Sequence, residues 1–383
     1  MNFDRTEEQN LLAASIARFV ARDYTFEVRR RIVSSPAGCS DDVWRTLAEL
    51  GLLGLTLPAT DGGLDGGALD AMSLMEAIGD ALIVEPWLAT VALGARLIAR
   101  GGSEDQRRRL VPAVASGELR LAFAHMEAGA DHTLAHVATR ARVDGDDYIF
   151  SGIKRAVPHA AVADELIVSV RTQGADADAD GLCLLLVARD TPGVTLTPLR
   201  MLDGTRAADV RFDDVRVPTG AVLGSPGRAL ALIEEVVDFA TALICAEAVG
   251  AIGSANRDTL EYLKTRKQFG VLIGSFQALQ HRMVDLTIEC EQARSMASLA
   301  CAAVDTERDP VARSRTVSAA KVRIADACRR VSQESVQLHG GMGMSDELKV
   351  SHTFRRLTAI AQQFGGADHH LARFAALDEG HSG

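Results

Sequence analysis

The chain has 383 residues, 47% of them hydrophobic, and 41 basic against 51 acidic side chains give a formal charge of −10. That apolar content excludes a disordered chain, which has too little to bury. The acidic balance argues against a nucleic-acid binder, because neutralising phosphates needs a clustered positive surface. Short basic runs such as Arg107-Arg108-Arg109 read as solvated helix faces.

The hydrophobic period divides the chain into three segments: 1–118, 119–223 and 224–383. In the first, Leu11, Leu12, Ile16, Phe19 and Val20 recur at helical spacing. Ser40 is placed to cap a helix running through Val43, Trp44 and Leu47 to Gly51. The glycines of Thr60 to Gly67 predict a loop, followed by helices over Ala68–Ala81 and Pro86–Arg100. The stretch Met1 to Asn10 is polar, so no secretory leader is expected.

The second segment changes to short runs separated by turn residues: Thr139–Val143, Tyr148–Ser151, Glu165–Arg171, Leu182–Ala188 and Val210–Phe212. Strands so closely spaced predict an antiparallel barrel or sandwich. Thr172 to Asp180 reads as an exposed hairpin tip.

The third segment predicts long helices over Ala229–Thr265, Phe276–Val304 and Val311–Leu338, a bundle that also buries surface against other subunits. The apolar run Phe239–Ala255 is short for a membrane span and is interrupted by Glu247. Six scattered cysteines without a C-x-x-C pair predict reduced core thiols and a cytoplasmic protein.

Two clusters stand out as candidate chemistry. Arg266-Lys267-Gln268-Phe269-Gly270, with Phe276-Gln277 beyond it, places cations where a long helix ends. The helix dipole favours them there, and a guanidinium there also suits a phosphate group. Gln337-Leu338-His339-Gly340-Gly341-Met342-Gly343 pairs glycines after a helix, which reads as a helix stop or as room for a ligand. Its spacing is not that of a Rossmann fingerprint.

Together with Ala124-His125-Met126-Glu127-Ala128-Gly129-Ala130 and Ile149-Phe150-Ser151-Gly152-Ile153-Lys154, these clusters resemble the acyl-CoA dehydrogenase family over nearly the whole chain. Within it the sequence is most similar to the small subunit of pimeloyl-CoA dehydrogenase and to subunits of actinobacterial steroid-side-chain dehydrogenases. The resemblance implies an α+β multidomain fold: an N-terminal helical domain, a central β-barrel-like domain and a C-terminal four-helix bundle. It implies FAD, with Arg266 at the pyrophosphate and Gln268, Phe269, Gln277, Gln337, Gly340 and Gly341 around the cofactor. It places Asp238 where relatives contact the CoA chain. It implies an acyl-CoA substrate, an electron-transfer flavoprotein as acceptor, and a tetramer, either of one chain or with a homologous subunit.

The sequence departs from the family at the base. Phe364, in Gln363-Phe364-Gly365-Gly366, stands where most members carry the catalytic glutamate, and Ala240 stands at the alternative position. Glu247 is the only charged residue among the eighteen between Asp238 and Arg257, with Leu243, Ile244, Gly250 and Ala251 sharing its face. A buried carboxylate is costly unless paired or neutralised, and such groups occur at working sites or in paired networks. One reading pairs Glu247 with an arginine from another helix. The reading the resemblance favours makes Glu247 the α-proton base, with small neighbours leaving room for a ligand. The expected reaction is FAD-dependent α,β-dehydrogenation of a bulky or unusual acyl-CoA. The alternatives are a non-catalytic scaffold subunit completing a partner's FAD site, and a flavin monooxygenase or oxidase of the same fold.

Hydroxyls that usually face the flavin ring are replaced by Met126, Ala156 and Pro158, with His125, His132 and His159 nearby. His132 and His136 lie in a strand-rich stretch where a four-residue spacing does not converge, so no metal site is expected. His369-His370 reads as a surface pair.

Overall fold

The computed structural model describes residues 6–379. The first five residues of the polar stretch Met1–Asn10 lie outside the described residues. By contacts the chain forms two compact units, one of Met1–Arg31, Gly67–Ile83 and Thr241–Gly383, the other of Ile32–Gly66 and Val84–Ala240.

The first unit is helical. Helix α1 (Glu7–Asp23) starts at a capping box in which Thr6 and Gln9 satisfy each other's backbone N–H groups. Helix α2 (Phe26–Ser34) was not anticipated, and it carries Arg29, a buried side chain. Helix α4 (Ala68–Ala81) has the bounds its period predicts. Its first two N–H groups donate to Asp305, and it ends at Leu82 in the left-handed region (φ 56°), whose carbonyl accepts from Arg29 Nε at 2.8 Å.

The long helices are α7 (Leu230–Thr265), α8 (Gln277–Thr306) and α9 (Pro310–His339), each within two residues of its sequence bounds. Two more, α10 (Lys349–Gln362) and α11 (Ala367–Glu379), pack on α9 and were not anticipated. Both are short, and their stability comes from docking one face rather than from length. Arg323 and Arg330 of α9 converge on Glu289 of α8. The most apolar window of α7 is 89% buried inside the protein, which marks a core helix.

The second unit combines helices with a sheet. Ser40 caps α3 (Asp41–Glu49) through its hydroxyl, as predicted. The helix expected over 86–100 is a π-helical stretch, Leu88–Ala95, running into α5 (Arg96–Gly101), and α6 (Glu104–Ala115) follows a capping box at Ser103.

The strands are β1 (Leu121–Ala124), β2 (Arg140–Asp144), β3 (Asp147–Pro158), β4 (Glu165–Arg171), β5 (Leu182–Ala188), β6 (Val194–Arg200), β7 (Arg206–Pro218) and β8 (Val222–Leu223). The sheet order is β6-β7-β3-β2-β4-β5-β8, with β1 parallel to β4. Pairing is otherwise antiparallel apart from the single β2–β4 register pair Arg140–Arg171. One face packs a core including Phe150, Val168, Leu185 and Phe212.

Sequence reading missed β1, β6 and the two-residue β8. The first is four residues buried throughout, with no alternation, and the second is a largely exposed edge strand containing Pro198. The tip Thr172–Asp180 is exposed, as expected, and its conformation is pinned from within. The wholly buried Arg171 guanidinium donates to the carbonyls of Ala135, Val137, Asp176, Asp178 and Asp180.

All six cysteines are free and buried. Burial pushes the Cys245 and Cys328 thiols up to about 12, so neither is a nucleophile at neutral pH.

Candidate active site

Helix α7 buries Glu247 to 2% exposure. Its Oε1 accepts from Arg356 Nε of α10 at 2.6 Å, and the arginine side chain is 15% exposed. The arginine of another helix, which the sequence left as an alternative, is therefore present, and the carboxylate is not an unpaired charge.

The space expected at Gly250 is filled. A Cβ on Gly250 would overlap the Glu76 carbonyl of α4, and one on Gly79 of α4 would overlap the Glu247 carbonyl. These two glycines let the backbones of α4 and α7 touch, so their smallness serves helix contact rather than a cavity.

Helix α10 is fixed from several sides. Lys321 of α9, wholly buried, donates Nζ to the carbonyls of Ile360 (2.9 Å), Ala361 (3.2 Å) and Gly365 (2.9 Å). A cation there satisfies orphan carbonyls at a helix C-terminus and complements its dipole. Burial lowers the pKa of Lys321. Beyond it, Phe364 and Gly365 turn through positive φ (60° and 107°).

His370 holds that turn, with its Nε2 3.0 Å from the Phe364 carbonyl and its Nδ1 3.3 Å from Ser318 Oγ. In the neutral ring, donation from Nε2 to the carbonyl leaves Nδ1 as the acceptor. Burial pushes His370 down to about 3. The expected surface pair is thus corrected: His370 is only 2% exposed, because its ring is needed inside to satisfy a carbonyl at a strained turn.

The candidate cofactor residues of the same unit gather at the ends of α7 and α9. Arg266 follows the last turn of α7, and a hairpin of β9 (Lys267–Gln268) and β10 (Val271–Leu272) turns at Phe269 and Gly270, both with positive φ. Phe269 is 90% exposed. Gln268, Gln277, Gln337, Gly340 and Gly341 are exposed, and a Cβ on either Gly340 or Gly341 would meet nothing within 4 Å. Tyr262 stacks on His339 at 4.4 Å between centroids, tying the two helix ends together. A guanidinium, amide side chains, an open aromatic ring and uncovered backbone form a donor set that fits a dinucleotide's phosphates and rings. Asp238 is fully buried in the second unit.

The second unit holds a buried polar network that sequence reading passed over. Lys154 Nζ, with no exposure, donates to Glu127 Oε1 (2.6 Å), Ser169 Oγ (2.8 Å) and the His125 carbonyl (3.2 Å). Glu127 also accepts from the N–H groups of Ala138 and Thr139 and from the Thr139 hydroxyl.

Burial pushes Lys154 down to about 8 and His125 to about 3, the second helped by the Lys154 charge. Burial pulls Glu127 upward, but Lys154 and the hydrogen bonds outweigh it and leave its carboxyl below the usual range. His125 bonds Ser169 at 2.9 Å and stacks on Phe123, so its ring belongs to the core of this unit. The available signal was a lysine in an otherwise strand-forming run, Ile149–Val157, which demands a buried partner. Among the described residues, no group of three or more His, Cys, Asp or Glu side chains could hold a metal.

The chain matches the acyl-CoA dehydrogenase N-terminal domain over residues 6–118, the middle domain over 121–215 and the C-terminal domain over 227–376. It is 30% identical over 370 residues to the acyl-CoA dehydrogenase FadE12 of Mycobacterium tuberculosis, covering 94% of this chain and 93% of that one. It is 31% identical over 320 residues to the mitochondrial isobutyryl-CoA dehydrogenase of Dictyostelium discoideum, covering 82% and 76%.

Among solved structures it is similar to a variant of the Tcur3481-Tcur3483 steroid ACAD (30% identity, TM-score 0.87, 98% and 99% covered). It is also similar to the ChsE4-ChsE5 complex of Mycobacterium tuberculosis (26% identity, TM-score 0.88, 98% of each chain).

Proposed function

The chain belongs to the acyl-CoA dehydrogenase family, FAD-dependent oxidoreductases acting on the CH–CH bonds of acyl-CoA thioesters, and on that footing we propose that it dehydrogenates a bulky or unusual acyl group with Glu247 as the α-proton base. The observation that carries this is the isolation of Glu247: a carboxylate buried in an uncharged stretch of α7, in a chain with Ala240 and Phe364 at the family's two base positions.

FAD, when bound, supplies the acceptor for the β hydrogen and its electron pair. Arg266 would hold its pyrophosphate, and Gln268, Phe269, Gln277, Gln337, Gly340 and Gly341 its ADP half. The protein's own work is to orient the thioester, exclude water and take the α proton on a desolvated carboxylate. Asp238 would contact the CoA chain, and an electron-transfer flavoprotein would reoxidise the cofactor. The segments 1–118, 119–223 and 224–383 are the proposed domains.

Likeness to a steroid ACAD supports a bulky acyl group, and likeness to a two-component complex supports assembly with a homologous subunit, with a homotetramer as the other arrangement. The Glu247–Arg356 ion pair favours a second reading, in which this chain is a scaffold that completes the FAD site of a partner.

The test is to purify the chain alone and with its partner, quantify bound FAD, and assay butyryl-CoA, pimeloyl-CoA and a steroid-side-chain CoA thioester. Turnover should favour the bulky thioesters, and Glu247→Gln should lower it by about 10²-fold or more at unchanged FAD content. Full turnover in the variant would leave the scaffold reading. Equal rates with butyryl-CoA would remove the bulky-substrate reading.

A further inference from the structure

We propose that Arg356 is the positioning residue for Glu247, and that it leaves Oε2 as the oxygen that takes the α proton; this rests on Glu247 being the base. The hydrogen bond from Arg356 Nε reaches Oε1 at 2.6 Å, and no other described residue hydrogen-bonds this carboxylate. One oxygen is therefore held by a charge-assisted bond while no described side chain engages the other.

A glutamate has three side-chain torsions. Its freedom here is removed at both ends: at the backbone by the α4–α7 contact through Gly79 and Gly250, and at the tip by the guanidinium. The arginine is in turn on a helix whose position is over-determined. Lys321 gathers three carbonyls at the C-terminal end of α10, Arg29 holds His352 at 2.9 Å, and Arg355 holds Asp346 at 2.6 Å. Folding thus meets the ordering cost of the donor before any thioester arrives, which is what preorganisation requires.

In the step so assigned, the α C–H bond breaks and its proton passes to Oε2. The electron pair left at the α carbon becomes the Cα–Cβ double bond as the β hydrogen departs with its own pair, for which bound FAD would supply the acceptor, while Arg356 keeps Oε1 in place. Arg356 touches neither reacting atom. A lysine at 356 keeps the charge but lacks the Nε donor on the inner edge of the planar fork.

The experiment measures kcat, KM, FAD content and thermal midpoint for Arg356→Lys, Arg356→Gln, Glu247→Gln and the double variant Glu247→Gln/Arg356→Gln, in the flavin-loaded assembly with the thioester turned over fastest. The expected result is a kcat lowered at least tenfold in Arg356→Gln with KM within about threefold. Arg356→Lys should recover part of that loss, and the arginine change should add nothing in the Glu247→Gln background. A kcat that falls only in proportion to lost FAD or lost fold, without rescue by lysine, overturns the positioning role. So does wild-type kcat in Arg356→Gln while Glu247→Gln is dead. Activity in Glu247→Gln, or no turnover of any thioester, overturns the base reading itself and this proposal with it.

Discussion

Two buried carboxylates, one in each compact unit, are neutralised in different ways. Glu127 lies in a closed network: a lysine with no exposure, two backbone N–H groups and a hydroxyl all donate to it, and the lysine's remaining protons go to Ser169 and a carbonyl. Among the described residues Glu247 has one hydrogen bond, from an arginine that keeps some exposure. A fully satisfied network rigidifies a core and has no capacity left for chemistry. A carboxylate held at one oxygen retains an acceptor, which is what a base needs. The comparison separates the closed network from the proposed base by the number of donors, not by burial, since both groups are buried.

The largest effect expected from this contrast comes from removing each acceptor. Glu127→Leu removes the acceptor shared by four donors at once, the buried Lys154 ammonium among them, and is expected to cost about 4–5 kcal/mol of unfolding free energy, measured by urea titration. Glu247→Leu removes a single hydrogen bond, from a guanidinium that keeps some exposure, and its cost should be about 1–3 kcal/mol. Equal losses would break the comparison.

Next in size is Gly250→Ala. Its methyl group must displace the backbone of α4, and overpacking of this kind costs about 1–3 kcal/mol in the same titration. A neutral result would mean that α4 does not fix the backbone under Glu247.

The last effect is a slope in pH. His125 and His370 are buried and neutral, each held at about 3 by burial. As pH falls below about 6.5, the unfolded chain binds a proton at each ring that the native state refuses. Stability contributed above pH 6.5 is then lost by about 1.4 kcal/mol per pH unit per histidine, down to pH about 3. His125→Gln and His370→Gln should each flatten that slope by one histidine's share, read from unfolding free energies between pH 6.5 and 4.

How far the site was legible depended on whether its signal was local. A lone acid in an apolar helical run showed that Glu247 would be buried, and a Ser before Asp41-Asp42-Val43 showed a cap. Neither β6 nor α11 carries such a pattern, because an edge strand and a docked terminal helix owe their conformation to what they pack against. The His369-His370 doublet looked like surface polarity. Only the carbonyl of Phe364, six residues back in the chain from His370, explains why that ring is inside.

What the sequence determined by itself was the class of each segment, the family, and the chemical poverty of positions 240 and 364, since phenylalanine and alanine cannot accept a proton in any fold. What the tertiary structure decided was the company of each charged group. Arg356 stands 109 residues from Glu247, and Lys154 stands 27 from Glu127. Which cation meets which carboxylate is set by helix and strand packing, whose contacts arise between residues far apart in the chain. For the same reason Gly250 turned out to be a helix contact and not a cavity wall: a missing side chain leaves space only where no neighbouring backbone fills it.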